Sequence, residues 1–172
     1  MSLFQSRMAL MSIAIAALLL GLSSQHFFSS PAPETAPPLA KIVLPDLSDT
    51  PRSLADWSGK KRVINFWATW CPPCRKEIPA LIALQKNLAY DDVQVISIAI
   101  EDKQSVQSFL EDYPVNFPVL IAGDDGIALS KEMGNHVNAI PFTVFINEND
   151  IIQKSHAGEI SLLELQELIH SD

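Results

Sequence analysis

Two cysteines, Cys71 and Cys74, stand two residues apart in the segment FWATWCPPCRKEIP, residues 66–79. A C-x-x-C pair that follows an apolar strand and opens a helix is placed for redox chemistry. The first sulfur faces the unpaired N–H groups and the positive end of the helix dipole, which stabilise its thiolate. The thiolate is the species that attacks a disulfide, and the second thiol lies close enough to attack the mixed disulfide that results. Pro72 and Pro73 preset helical φ but donate no hydrogen bond. The Cys71 sulfur therefore depends on the Cys74 amide or later groups, with some help from Arg75, which predicts a moderate stabilisation. Glu77 lies three residues beyond Cys74, about one turn along the helix. A carboxylate there raises thiol pKa values by repulsion and can accept or return a proton, an acid/base aid to Cys74.

Plainer readings of the pair are a structural disulfide or half of a metal site. A loop of two residues gains little from chain entropy, which makes a structural bridge a poor use of the pair. A zinc site needs two further ligands. His26, His136, His156 and His170 are scattered with none at ligand spacing, so no metal ligand set is expected.

The elements that must position these side chains read as follows. Residues 41–47 and 52–54 form short strands around a turn at Ser48, Asp49, Thr50 and Pro51. Residues 62–67 (RVINFW) are β-prone and mostly apolar, a central strand, with Phe66 and Trp67 on opposite sides. Trp67 is thereby assigned to core packing, while Trp70, next to Cys71, shields the sulfur and contacts partners. Residues 72–90 turn helical, with Ile78, Leu81, Ile82, Leu88 and Ala89 on one face and Pro79 expected to kink the helix. Residues 93–100 are the next strand and 104–112 a second helix, with Val106, Phe109 and Leu110 inward. Residues 119–122 form a short strand, and 127–133 a short helix stopped by Gly134. Residues 142–147 and 151–155 make a hairpin across Glu148, Asn149 and Asp150. The last helix starts at Ser161, capped in a box with Glu164, and Leu162, Leu163, Leu165, Leu168 and Ile169 form its apolar face. Strands alternating with helices, then a hairpin, give an α/β class.

Of the 172 residues, 48% are hydrophobic and 19% charged, which excludes general disorder. The formal charge of -8 lacks the basic footprint of a nucleic-acid binder. Arg7 is the only formally charged side chain in residues 1–33, and residues 8–22 (MALMSIAIAALLLGL) are nearly all apolar. A helix over residues 8–28 would measure about 31 Å at ~1.5 Å per residue, against a bilayer core of ~30 Å. Residues 1–28 are read as a signal-anchor, with a cleaved signal peptide (Gly21 and Ser23 at the cleavage positions) and a buried helix as the other readings. Residues 29–40 carry Pro31, Pro33, Pro37 and Pro38 and read as a stiff tether. Residues 41–172 form the folded domain, which both targeting readings place outside the cytoplasm: anchored on the periplasmic side of the inner membrane, or free in the periplasm or secreted.

The stretches VINFWATWCPPCRKEIP, residues 63–79, and AIPFTVFIN, residues 139–147, resemble the TlpA/ResA-like thiol-disulfide oxidoreductases of the thioredoxin superfamily, and the resemblance covers residues 41–172. It implies a thioredoxin fold, a central mixed sheet flanked by helices. It implies that Cys71 attacks and Cys74 resolves, and that the redox-active disulfide they form is the only cofactor. Pro141 is implied to be a cis-proline facing the cysteines, with the Ile140 backbone pairing to an extended substrate; Trp70, Pro72 and Pro73 complete the substrate-binding set. The implied partners are protein disulfides, a membrane thiol reductase of the DsbD/CcdA kind as electron donor, and the membrane through the N-terminal helix. Cytochrome c maturation is an implied setting. Two departures are visible. Asn65 stands where cytoplasmic thioredoxins carry a buried aspartate, and Phe142 follows Pro141 where threonine is usual. Four rival functions stay open from the residues: a disulfide-introducing oxidant, a thiol peroxidase, a metal-binding module and a plain scaffold domain.

Overall fold

A computed structural model describes residues 38–87 and 92–170. Residues 1–28, read as a signal-anchor, and most of residues 29–40, read as a tether, lie outside the described residues, as do Leu88, Ala89 and Tyr90. Two short strands, β1 (Val43–Pro45) and β2 (Pro51–Ser53), pair antiparallel. β1 is shorter than the expected 41–47 at both ends, while β2 has the expected length but begins one residue earlier, at Pro51. Residues Leu39–Lys41 form a 3-10 turn, and the Asp46 carboxylate accepts the N–H groups of Ser48 and Thr50, closing the loop between the strands. Leu39 is buried in the main core, so the packed domain takes in residues that the composition assigns to the tether.

The main sheet has five strands: β3 (Lys61–Trp67), β4 (Val93–Ala99), β5 (Val119–Ile121), β6 (Phe142–Ile146) and β7 (Ile152–Ala157). Their spatial order is β5-β4-β3-β6-β7, with β3, β4 and β5 mutually parallel and β6 and β7 antiparallel additions on the other side of β3. Four α-helices lie among the described residues: α1 (Pro72–Lys86), α2 (Lys103–Asp112), α3 (Gly126–Glu132) and α4 (Leu162–His170). This is the α/β arrangement expected, a mixed sheet with helices.

Alternation along β3 divides the core. Ile64 and Phe66 join Ile96, Ile98, Val144 and Met133 in one cluster. Val63 faces the other way, onto Leu81 and Leu84 of α1 and Leu165 and Ile169 of α4. Trp67 shares that second face, packed with Val106 and with its ring 5.5 Å from that of Phe109, which bears out its reading as a core residue. Helix α1 ends at Lys86, short of the expected residue 90, because Asn87 turns extended and donates to Leu84 O. Pro79 lies inside α1 without dividing it. Gly134 has φ +102 and follows α3 as expected of a helix stop. The α4 cap is the box read from the sequence: Ser161 N donates to Glu164 Oε2 at 2.8 Å and Glu164 N to Ser161 Oγ at 3.3 Å. Leu163, assigned to the inner face, is instead 64% exposed. At 3.6 residues per turn it falls off the stripe of Leu165 and Ile169.

Candidate active site

Strand β3 is buried from Arg62 to Trp67, Ala68 follows it buried, and the chain then breaks at Thr69. The break is fastened by Glu101 at the end of the neighbouring strand: its carboxylate accepts the Thr69 N–H and, at 2.9 Å, the Thr69 hydroxyl. Trp70 then projects outward, 64% exposed, and Cys71 takes the N-cap position of α1 with extended backbone. The Cys71 sulfur accepts the Cys74 N–H at 3.3 Å, the donor that the two prolines leave available. The two sulfurs are joined as a disulfide. Pro72 is exposed and Pro73 half-buried at the head of the helix. The Arg75 guanidinium lies over the rings of Phe109 and Tyr113, at 5.5 and 5.7 Å. The guanidinium is thus engaged with these two rings rather than with the Cys71 sulfur.

From the far side, the loop after α3 brings Ile140 O to 3.8 Å from the Cys71 sulfur, and the Ile140–Pro141 bond is cis. Cys71, Cys74 and Ile140 thus come together although 69 residues separate Cys71 from Ile140, and the cis-proline Pro141 follows directly. Pro141 leads directly into β6, whose antiparallel register with β3 sets Thr143 opposite Asn65.

Glu77, one turn beyond Cys74, is only 1% exposed. Its Oε1 accepts Asn65 Nδ2 at 2.7 Å and its Oε2 accepts the Ile160 N–H at 3.1 Å. The same Asn65 nitrogen donates to Thr143 Oγ1 at 3.1 Å. Burial pushes the Glu77 carboxyl up from the ordinary 4.5 to about 7. The two hydrogen bonds from Asn65 and Ile160 pull against that rise, and the nearby charge of Glu159 adds to it. Glu159 itself pairs loosely with Lys76 at 3.7 Å. A carboxyl poised near neutrality can exchange protons in both directions at ordinary pH.

The sequence singled out Asn65 only as a departure from the buried aspartate of cytoplasmic thioredoxins, not as a partner of Glu77, and Ile160 carries no sign of its role there. The Glu101 clamp was also unmarked. No group of three or more His, Cys, Asp or Glu side chains placed to hold a metal ion occurs among the described residues. Beside the cysteines runs an open groove of about 550 Å³, lined by Pro72, Arg75, Pro79, Phe109 and Tyr113 among others.

Comparison with known proteins agrees with this geometry. Residues 29–167 match the family model described as Redoxin. The chain is 31% identical over 170 residues to the thiol-disulfide oxidoreductase ResA of Halalkalibacterium halodurans, covering 96% of this chain and 94% of that one. It is 35% identical over 133 residues to the thioredoxin-like protein YneN of Bacillus subtilis, 75% of each chain. The crystal structure of a thiol:disulfide interchange protein of the thioredoxin family from Chlorobium tepidum superposes with a TM-score of 0.68 at 26% identity, covering 82% of this chain and 97% of that one.

Proposed function

The chain belongs to the redoxin family and is a thioredoxin-like, ResA-related thiol-disulfide oxidoreductase, and from that premise we propose that it reduces protein disulfides outside the cytoplasm. The observation that supports this best is the single point at which the Cys71 sulfur, its Cys74 N–H donor and the Ile140 carbonyl converge. In the reduced enzyme the Cys71 thiolate attacks one sulfur of a substrate disulfide, forming a mixed disulfide and expelling the other sulfur as a thiolate. Cys74 passes its proton to the Glu77 carboxylate, one turn away, and attacks the Cys71 sulfur. The Cys71–Cys74 disulfide forms, the second substrate sulfur leaves, and each substrate thiolate takes up a proton. Two electrons have passed from the enzyme to the substrate. A membrane thiol reductase of the DsbD/CcdA kind returns them, and no cofactor beyond the cysteine pair is required.

Trp70, Pro72, Pro73, Ile140 and Pro141 form the substrate contact. The apolar segment in residues 1–28 favours tethering at the outer side of the inner membrane, and in such a setting the haem-attachment cysteines of an apocytochrome c suit the enzyme as substrate.

The test is a Cys74→Ser variant, which should accumulate mixed disulfides through Cys71 that disappear when Cys71→Ser is added. Identification of the captured proteins names the substrates. Trapping thiols in growing cells fixes the direction: a mostly reduced Cys71/Cys74 pool is expected, and a mostly oxidised pool would turn the assignment into disulfide introduction.

A further inference from the structure

The loop that carries Ile140 is held by one buried side chain with no place in the chemistry above. Asn135 is fully buried just after α3. Its Nδ2 donates to Ala139 O at 2.8 Å and to Ser130 Oγ at 3.0 Å, and its Oδ1 accepts the Ala139 N–H at 3.4 Å. Ser130, also fully buried, donates in turn to Ile127 O at 2.8 Å, which anchors the chain of bonds in α3. A carboxamide offers a donor and an acceptor side by side, as a peptide group does, so Asn135 engages both backbone groups of Ala139. On the other side, Pro141 O accepts the Gly158 N–H at 2.8 Å, and proline has no N–H to give. Between these two occupied residues stands Ile140. Among the described residues its N–H has no acceptor, and its carbonyl has only the Cys71 sulfur at 3.8 Å.

We propose that Asn135 is a positioning residue that sets the register of substrate pairing: by occupying Ala139, it leaves Ile140 as the residue next to the cis-proline that can exchange backbone hydrogen bonds with an incoming extended segment. One such pair fixes a strand's position along its partner, and a slip of one residue would turn its side chains to the opposite face. The substrate sulfur is thereby delivered to Cys71 rather than one residue to either side. The inference rests on the reading that the Ile140 backbone receives substrate.

The experiment compares two disulfides with the full-length chain. One is an extended peptide with a single internal disulfide, and the other is bis(2-hydroxyethyl) disulfide, which has no peptide groups. Asn135→Ala should lower kcat/KM for the peptide about tenfold more than for the small disulfide, equivalent to ~1.4 kcal/mol, mainly through KM. The rate of Cys71 alkylation in the reduced protein reports whether the sulfur itself has changed. Equal losses on both disulfides, or no loss on either, would overturn the proposal. A wild type that shows no preference for the peptide would instead defeat the Ile140 reading. Should the variant not fold, amide exchange decides on the mixed disulfide of Cys74→Ser with a one-cysteine peptide. New protection is expected at Ile140, and new protection at Asn138 or Val137 would refute the register.

Discussion

Asn65 donates to Glu77 at 2.7 Å from the strand that leads into the cysteines to the helix that leads out of them. This bond favours the charged form of a carboxyl that burial drives toward the neutral form. Replacing Asn65 by leucine removes the donor and leaves the burial. A hydrogen bond to a charged group is worth ~1.5–3 kcal/mol, and one pKa unit is ~1.36 kcal/mol, so the Glu77 midpoint should climb by about 1–2 units. Carbon-13 NMR of the labelled carboxyl in the oxidised protein reads this directly. An unmoved midpoint would show that the bond does not tune the acid.

Glu77 also ties stability to pH. Its folded-state pKa lies above the unfolded value, so the folded protein holds the proton more tightly. The stabilisation is complete below about pH 4.5 and declines as pH rises toward 7, a loss of ~3 kcal/mol at ~1.36 kcal/mol per unit. Glu77→Gln abolishes this component. Urea unfolding of the oxidised proteins at pH 4.5, 6 and 8 should give a wild-type curve that falls relative to the variant. Parallel curves would contradict the raised pKa.

The Glu101 carboxylate closes the break between β3 and α1 through both the Thr69 N–H and its hydroxyl. Glu101→Ala leaves the amide without that acceptor. Stability should fall by about 1–3 kcal/mol, and exchange of the Thr69 amide should accelerate at least tenfold. Retained protection at Thr69 would mean that the loop keeps its shape without the clamp.

At Gly126 an added Cβ would lie 2.5 Å from Ile100 Cγ2 and 3.0 Å from Ile100 Cβ. Both atoms are close to the backbone of a β-branched residue and have little room to yield. Gly126→Ala should cost ~1–3 kcal/mol by overpacking. At Gly59, φ is +84 and nothing lies within 4 Å, so alanine there meets only the backbone strain. Thermal unfolding of the two variants should rank Gly126→Ala below Gly59→Ala.

Much of this molecule is local and therefore legible. The Cys71–Cys74 spacing dictates the 3.3 Å amide contact, the Ser161/Glu164 pair announces its own cap, and alternation assigns Trp67 to the core. What escaped depends on partners far away in the chain. The Glu77 environment is completed by a backbone N–H 83 residues on, and an N–H carries no residue signature. Asn135 looks like any asparagine after a helix until the loop folds back upon it. Leu39 reads as tether by composition, and only the third dimension shows that the core closes over it.

The tryptophans are unequally placed: Trp67 is 2% exposed, while Trp70, adjacent to Cys71, is 64% exposed. An indole in water emits to the red of one enclosed by apolar groups. Covering of the cysteine pair by a client protein should therefore register as a blue shift from Trp70 against a steady Trp67 background, so that capture can be timed by intrinsic fluorescence without a label.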